Sequence, residues 1–166
     1  DQNGHIAAAL FSAGRLDLTE KEFIAFHLSG GTTEALLAKP DENEVFVCKK
    51  IAGSLDLKAG QAVDRVGLML GLSFPCGKEL DFLACQSKKH FKIKASMKGN
   101  DCSLSGLENK CRKMVDTGEA PCDTAKFCID YISTALESMT ERIIEKYGNL
   151  PLVYSGGVMS NSIISE

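Results

Sequence analysis

The stretch Phe23-Ile24-Ala25-Phe26-His27-Leu28-Ser29-Gly30-Gly31 decides the fold. An apolar run of strand length is broken by a serine and two glycines. A second instance of the design stands near the other end, where Pro151-Leu152-Val153-Tyr154 runs into Ser155-Gly156-Gly157-Val158 and then a helix containing Asn161. Glycine lets the backbone approach an anion closely and take positive φ without steric cost. Strand, glycine turn and helix together aim backbone N–H groups and a helix N-terminus at a phosphate. One Ser-Gly-Gly is an ordinary tight turn. Two, each following a buried strand, read as phosphate-facing loops of one α/β nucleotide-binding domain.

Working outward, Gly4 to Ala13 has Ile6, Leu10 and Ala13 at helical spacing, with Gly14 as stop. Extended patterns cover Thr32 to Ala38 and, beyond a turn at Pro40 to Asn43, Val45 to Cys48. From Lys58 to Leu72, Ala59, Ala62, Val63, Val66 and Leu70 fall three or four apart, so one helical face is buried and Asp64 lies beside it. Phe74-Pro75-Cys76-Gly77 is a loop before a short helix over Glu79 to Gln86. The spacing further predicts a strand at Phe91 to Met97 and a helix over Ser105 to Val115. The longest helix runs from Asp123, the expected N-cap, to Tyr147, with a stripe from Cys128 through Ile143 that reads as core and Gly148 as stop.

Composition narrows the class. A chain of 166 residues, 44% apolar and 25% charged, has the balance of one soluble domain able to bury a core. No stretch reaches the roughly 18 uninterrupted apolar residues of a membrane helix, and Asp1-Gln2-Asn3-Gly4-His5 lacks the order of a signal peptide, so a cytoplasmic location is expected. Seven cysteines without a Cys-x-x-Cys pair read as reduced thiols. The net charge of −3 carries no general footprint for nucleic acid. Lys88, Lys89, His90, Lys92 and Lys94 nevertheless form a basic cluster, either a solvated rim or an RNA-contacting arm. The chain opens without Met and stops at Ser165-Glu166, one turn into an expected helix, so both ends read as cuts.

In order, Gly4-His5-Ile6, Leu28-Ser29-Gly30-Gly31-x-Thr33, Ala59-Gly60-x-Ala62-x-Asp64, Leu70-Gly71-Leu72-x-x-Pro75-x-Gly77, Ser103-x-Ser105-Gly106-Leu107 and Gly156-Gly157-Val158-x-x-Asn161 resemble the tRNA threonylcarbamoyladenosine-modifying proteins, also called O-sialoglycoprotein endopeptidases or glycoproteases. The resemblance covers essentially the whole chain. It implies an α/β fold of the actin, sugar kinase and Hsp70 type, built of ribonuclease H-like lobes with a mixed sheet and flanking helices, incomplete here at both ends. Residues 1–22 would close the first lobe, and 23–166 would form the second with an insertion near 87–120. ATP or an acyl-adenylate is the implied ligand, tRNA the implied acceptor. By the same resemblance Leu28, Ser29, Gly30 and Gly31 meet the phosphate, Asp64 accepts from the ribose, and Gly77, Gly156, Gly157 and Asn161 complete the pocket. A lobe cut from its neighbour exposes apolar surface, so a homodimer or a partner subunit of the same superfamily is expected.

The departures count as much. The family's metal site, for iron or zinc, uses His-x-x-x-His on a helix, and here that pair is Asp1 and His5, a degenerate ligand set. Thr32, Leu57, Gln61, Cys76 and Glu108 stand where the family usually has His, Asp, Glu, Gly and Lys. Taken together these substitutions keep the binding scaffold while thinning the catalytic equipment, and Glu108 reverses a sign. Two readings therefore stand: a threonylcarbamoyl transferase, and a divergent non-catalytic paralogue that binds nucleotide or a partner lobe. The glycoprotease reading lacks a protease constellation, because the Asp1/His5 pair has no Glu base beside it. Cys76 reads as a passive thiol rather than a nucleophile.

Overall fold

The computed structural model of the chain describes residues 21–28, 33–42 and 46–155. In chain order these form β1 (Phe23–Leu28), β2 (Thr33–Pro40), β3 (Phe46–Gly53), α1 (Ala59–Met69), α2 (Gly77–Cys85), β4 (Ser96–Lys98), β5 (Asp101–Ser103), α3 (Ser105–Asp116), α4 (Pro121–Tyr147) and β6 (Leu152–Ser155).

The main sheet has the order β3-β2-β1-β6. Its first three strands pair antiparallel as a meander, whereas β6 returns parallel to β1, from Ile24↔Leu152 to His27↔Ser155. Alternation explains why β1 is apolar on both faces from Phe23 to Phe26. Ile24 and Phe26 join the main core with Ala35, Leu37 and Ala52, while Phe23 and Ala25 form a second cluster with Leu36 and Ala38. Helices α1, α3 and α4 close the main core through Ala62, Val66, Leu107, Ile129, Ile132 and Met139, all buried.

The sequence expectations hold for β1, β2, β6, α3 and the stop of α4 at Gly148, whose φ of 87° suits glycine. Three are corrected. Helix α4 is capped three residues earlier than expected: Ala120 is the N-cap and Pro121 takes the first turn, where its missing N–H costs nothing. Asp123 instead accepts a hydrogen bond from the Ser87 hydroxyl at 2.7 Å. The strand expected over Phe91 to Met97 is paired only at Ser96–Lys98, against β5. Its apolar residues lean on α4 rather than on a sheet, with Phe91 edge-on to Phe127 at 5.2 Å between centroids. Finally, β3 extends to Gly53, beyond the expected Cys48. The helices expected over 4–13 and after Ser155 lie outside the described residues. Among the described residues no helix is long and apolar enough to cross a membrane.

Candidate functional site

The parallel pairing of β1 with β6 puts the entrances to both Ser-Gly-Gly segments side by side. Strand β1 ends at Leu28, β6 ends at Ser155, and His27 is in register with Ser155. The carboxyl ends of neighbouring parallel strands are where open α/β sheets place ligands. Ser29, Gly30, Gly31, Gly156, Gly157 and Asn161 themselves lie outside the described residues, as do Asp1 and His5.

Helix α1 starts at this same end of the sheet. Thr33, opposite Leu28 and 2% exposed, accepts the Ala59 backbone N–H on its Oγ1 at 2.7 Å, and its carbonyl accepts the Ser54 N–H at 3.0 Å. The first orphan donor of α1 is thereby satisfied from the sheet. One turn further along α1, the half-buried Asp64 accepts the Cys76 backbone N–H on Oδ1 at 2.9 Å. That bond holds the loop ahead of α2 against α1 and brings Asp64 beside Gly77, the first residue of α2. The second carboxylate oxygen of Asp64 accepts no further hydrogen bond among the described residues. A Cβ added at Gly77 would meet nothing within 4 Å, so packing among the described residues does not require glycine there. The structure thus joins two of the expected site residues, Asp64 and Gly77, and sets Leu28 at the head of the sheet end that α1 abuts.

Asp56 was not singled out in the sequence, yet it ties two motifs together. Its Oδ1 accepts the backbone N–H groups of Leu57 at 2.6 Å and Leu104 at 2.9 Å, and its Oδ2 accepts the Ser103 hydroxyl at 2.6 Å. Partial desolvation pushes this carboxyl up, but the hydrogen bonds from Ser103, Leu104, Ser105 and Leu57 together outweigh it and hold the group at about 2. The loop before α1 is so locked to the Ser103-Leu104-Ser105 turn that opens α3. Leu55 N–H to Cys102 carbonyl at 2.8 Å and Gly53 N–H to Asp101 Oδ1 at 2.9 Å reinforce the junction. The signal lay in Asp56 directly before Leu57, the position where a second acid was expected, but its partners are remote in sequence.

The departures from the family pattern have structural partners wherever they are described. Leu57 is buried in the core. Gln61 accepts the Lys58 N–H at 3.2 Å across the first turn of α1. Glu108 pairs with Arg65 at 2.8 Å. Cys76 is fully buried, and its thiol donates to the Asp64 carbonyl at 3.6 Å. Burial, seconded by the Asp64 and Glu79 charges, pushes that thiol up, the opposite of an activated nucleophile. Its backbone sits so close to α1 that a Cβ on Gly67 would lie 2.3 Å from the Cys76 Cβ.

All seven cysteines are free thiols. Among the described residues no group of three or more His, Cys, Asp or Glu side chains is placed to hold a metal ion, so the iron or zinc implied by the resemblance has no ligand set there.

The family model for tRNA N6-adenosine threonylcarbamoyltransferase (TsaD) matches residues 4–166. The chain is similar to the tRNA N6-adenosine threonylcarbamoyltransferase of Thermococcus gammatolerans, 28% identical over 147 residues, which cover 88% of this chain and 44% of that protein. It is also similar to the enzyme of that name from Streptococcus pneumoniae strain CGSP14, 29% identical over 171 aligned residues, 98% of this chain and 50% of that protein. The chain therefore spans about half the length of the curated relatives it matches. The ordered landmarks of the sequence and a family match over nearly the whole length lead to one conclusion: the chain belongs to the tRNA N6-adenosine threonylcarbamoyltransferase family.

Proposed function

We propose that this chain is the nucleotide-binding portion of a protein that transfers a threonylcarbamoyl group from its adenylate to an adenosine of tRNA. The observation that carries the reading is the parallel register of His27 with Ser155, because it starts both glycine turns from adjacent strand ends, within reach of one phosphate group. The antiparallel β1-β2-β3 meander with β6 parallel to β1 supports a ribonuclease H-like lobe of the actin and Hsp70 type over 23–166, with 87–120 as an insertion.

In this reading the amides of Ser29-Gly30-Gly31 and Gly156-Gly157 hold the donor's phosphate. The free oxygen of Asp64 accepts from the ribose while its other oxygen keeps the Cys76 loop in place. Gly77 leaves open space for the nucleotide, and Asn161 would complete the pocket, as the resemblance implies. The adenosine amino group attacks the carbamoyl carbon, the bond from that carbon to the phosphate oxygen breaks, AMP departs and the amine releases a proton. The chain's contribution is orientation and electrostatic stabilisation of the leaving phosphate. Asp1 and His5 are the residues that would hold a metal, which would help position the acyl donor, and the His5→Ala variant tests whether transfer depends on it.

A second reading, the non-catalytic paralogue, is favoured by the departures: Leu57, Gln61, Cys76 and Glu108 each serve packing, capping or an ion pair. Calorimetry with ATP and AMP, combined with metal analysis, separates the two on the full-length protein. Nucleotide binding together with one bound iron or zinc and transfer to tRNA that His5→Ala abolishes establishes the enzyme. Nucleotide binding without stoichiometric metal or transfer establishes the paralogue. Absence of nucleotide binding rejects both.

A further inference from the structure

The segment between α2 and β5 sorts its side chains into two rows. At odd positions Phe91, Ile93, Ala95 and Met97 are half-buried, the last three packed on the main core and Phe91 on Phe127. At even positions Lys88, His90, Lys92, Lys94, Ser96 and Lys98 are all exposed. This is the two-residue period of an extended chain, pinned along one edge by the apolar row and by Phe91 against Phe127. The Arg142 guanidinium, donating to the Gly99 carbonyl at 2.6 Å, fixes the tip of the β4-β5 hairpin to α4.

The charge on this edge is uncompensated. From Ser87 to Asn100 the sequence contains no Asp or Glu, although the chain as a whole carries −3. Lys89, on the other row, is paired with Glu119 at 3.2 Å and Asp123 at 3.5 Å. Lys88, Lys92, Lys94 and Lys98 form no ion pair among the described residues. The open cleft of about 780 Å³ beneath the segment mixes Arg142 and Lys146 with Glu141 and Glu145, so it offers no single sign to a ligand. Only the outward row does.

We propose that the exposed row Lys88, His90, Lys92, Lys94 and Lys98 is a docking ridge for the phosphate backbone of an RNA strand. Extended chain sets every second side chain about 6.6 Å apart. That is comparable with the spacing of consecutive phosphates, and a row of unpaired lysines meets a polyanion by releasing its counterions. An acidic protein surface would present no such regular array. The row is tied to the framework of the candidate site through its middle: Ser96 is in register with Ser103, where β5 enters the turn that Asp56 holds, and the neighbouring Cys102 is bridged to Ser54 ahead of α1. That the RNA is the acceptor rests on the transferase reading; the docking itself does not.

The test is binding of fluorescently labelled tRNA to the full chain across a potassium chloride series, without nucleotide or metal. Wild type is compared with the triple variant Lys92→Gln/Lys94→Gln/Lys98→Gln and with a charge-matched control, Lys21→Gln/Lys49→Gln/Lys50→Gln, whose lysines are exposed elsewhere. The ridge variant should lower the slope of log affinity against log salt by about 2 to 3, at close to one unit per lost phosphate contact. The control should leave it near the wild-type value, and both should bind ATP as wild type does. Equal slopes for wild type and ridge variant overturn the proposal. So does an equal loss in the control, which would report net charge alone. Parallel titrations with poly-glutamate and with phosphatidylserine vesicles identify the partner: binding as tight as to tRNA, with the same loss in the ridge variant, overturns RNA as the occupant. If tRNA docks through the ridge but ATP fails to bind, the ridge stands and the nucleotide reading falls.

Discussion

The Thr33 Oγ1 accepts the backbone N–H of Ala59 at 2.7 Å, so the first turn of helix α1 is capped by a side chain from the strand that follows the first glycine turn. Helix and sheet cannot shift independently at the end where the candidate site lies. Thr33→Val keeps the shape but strands a buried donor, and it should cost about 1–3 kcal/mol in chemical denaturation. Thr33→Ser should recover most of the loss.

Gly67 and Cys76 compete for one space, since an added Cβ at 67 would stand 2.3 Å from the Cys76 Cβ and 2.5 Å from its Sγ. Gly67→Ala should therefore destabilise by about 1–3 kcal/mol through overpacking. Placed on a Cys76→Gly background it should be far milder. A double-mutant cycle read by thermal unfolding measures this coupling.

Asp56 makes the junction between the α1 loop and the Ser103 turn pH-dependent. Its folded value of about 2 lies below that of an unfolded aspartate, near 3.9, so its contribution is complete above about pH 4 and fades as the pH falls toward 2. Asp56→Ala should cost about 1–2 kcal/mol at neutral pH through the lost hydrogen bonds. Asp56→Asn should flatten the acid limb of the stability profile, followed by urea midpoints between pH 2 and 5.

Asp64 carries two jobs on two oxygens, and the substitutions can split them. Asp64→Asn preserves an acceptor for the Cys76 N–H, so the fold should hold while ATP affinity falls roughly tenfold in calorimetry. Asp64→Ala should loosen the Cys76 loop as well and lower the melting temperature. If both variants bind ATP as wild type does, Asp64 has no part in the pocket.

Thiol chemistry should follow burial. Cys85 is exposed and should be alkylated first, followed by the half-buried Cys48 and Cys122. Cys76, Cys102, Cys111 and Cys128 are buried and should react only on unfolding. A hydrogen bond with Cys111, added to burial, pushes Cys128 well up, and burial with the nearby Asp56 charge takes Cys102 to about 11. Mass spectrometry after timed iodoacetamide exposure reads the order.

Much of this fold was legible because its signals are local. The apolar run of β1, the three-and-four spacing of α1 and the glycine stop of α4 each report on a single element. What escaped depends on distant partners. Asp56 is indistinguishable from a solvated acid until Ser103 and Leu104 are brought to it. The alternation over Phe91 to Met97 was read as a strand, since a chain lying extended on a helix has the same two-residue period as one in a sheet. The end of β3 was missed because Lys49 and Lys50 are both exposed on this edge strand, which removes the expected alternation. At the site, sequence identified Asp64 and Gly77 separately, but their meeting depends on the Cys76 N–H, which no spacing rule reveals.

The parallel pairing of β1 with β6 also bears on biosynthesis. Strands β1 to β3 can zip up as they leave the ribosome, because each pairs with its immediate successor. The second edge of β1 must wait until Leu152 to Ser155 have been made, after the four helices of the described residues. Contacts of such long range are slow to form, and an unpaired strand edge invites association with other chains in the interval. A nascent chain stalled ahead of Leu152 would hold its three-stranded meander with that edge bare, so translational pausing there should make this protein a client for chaperones.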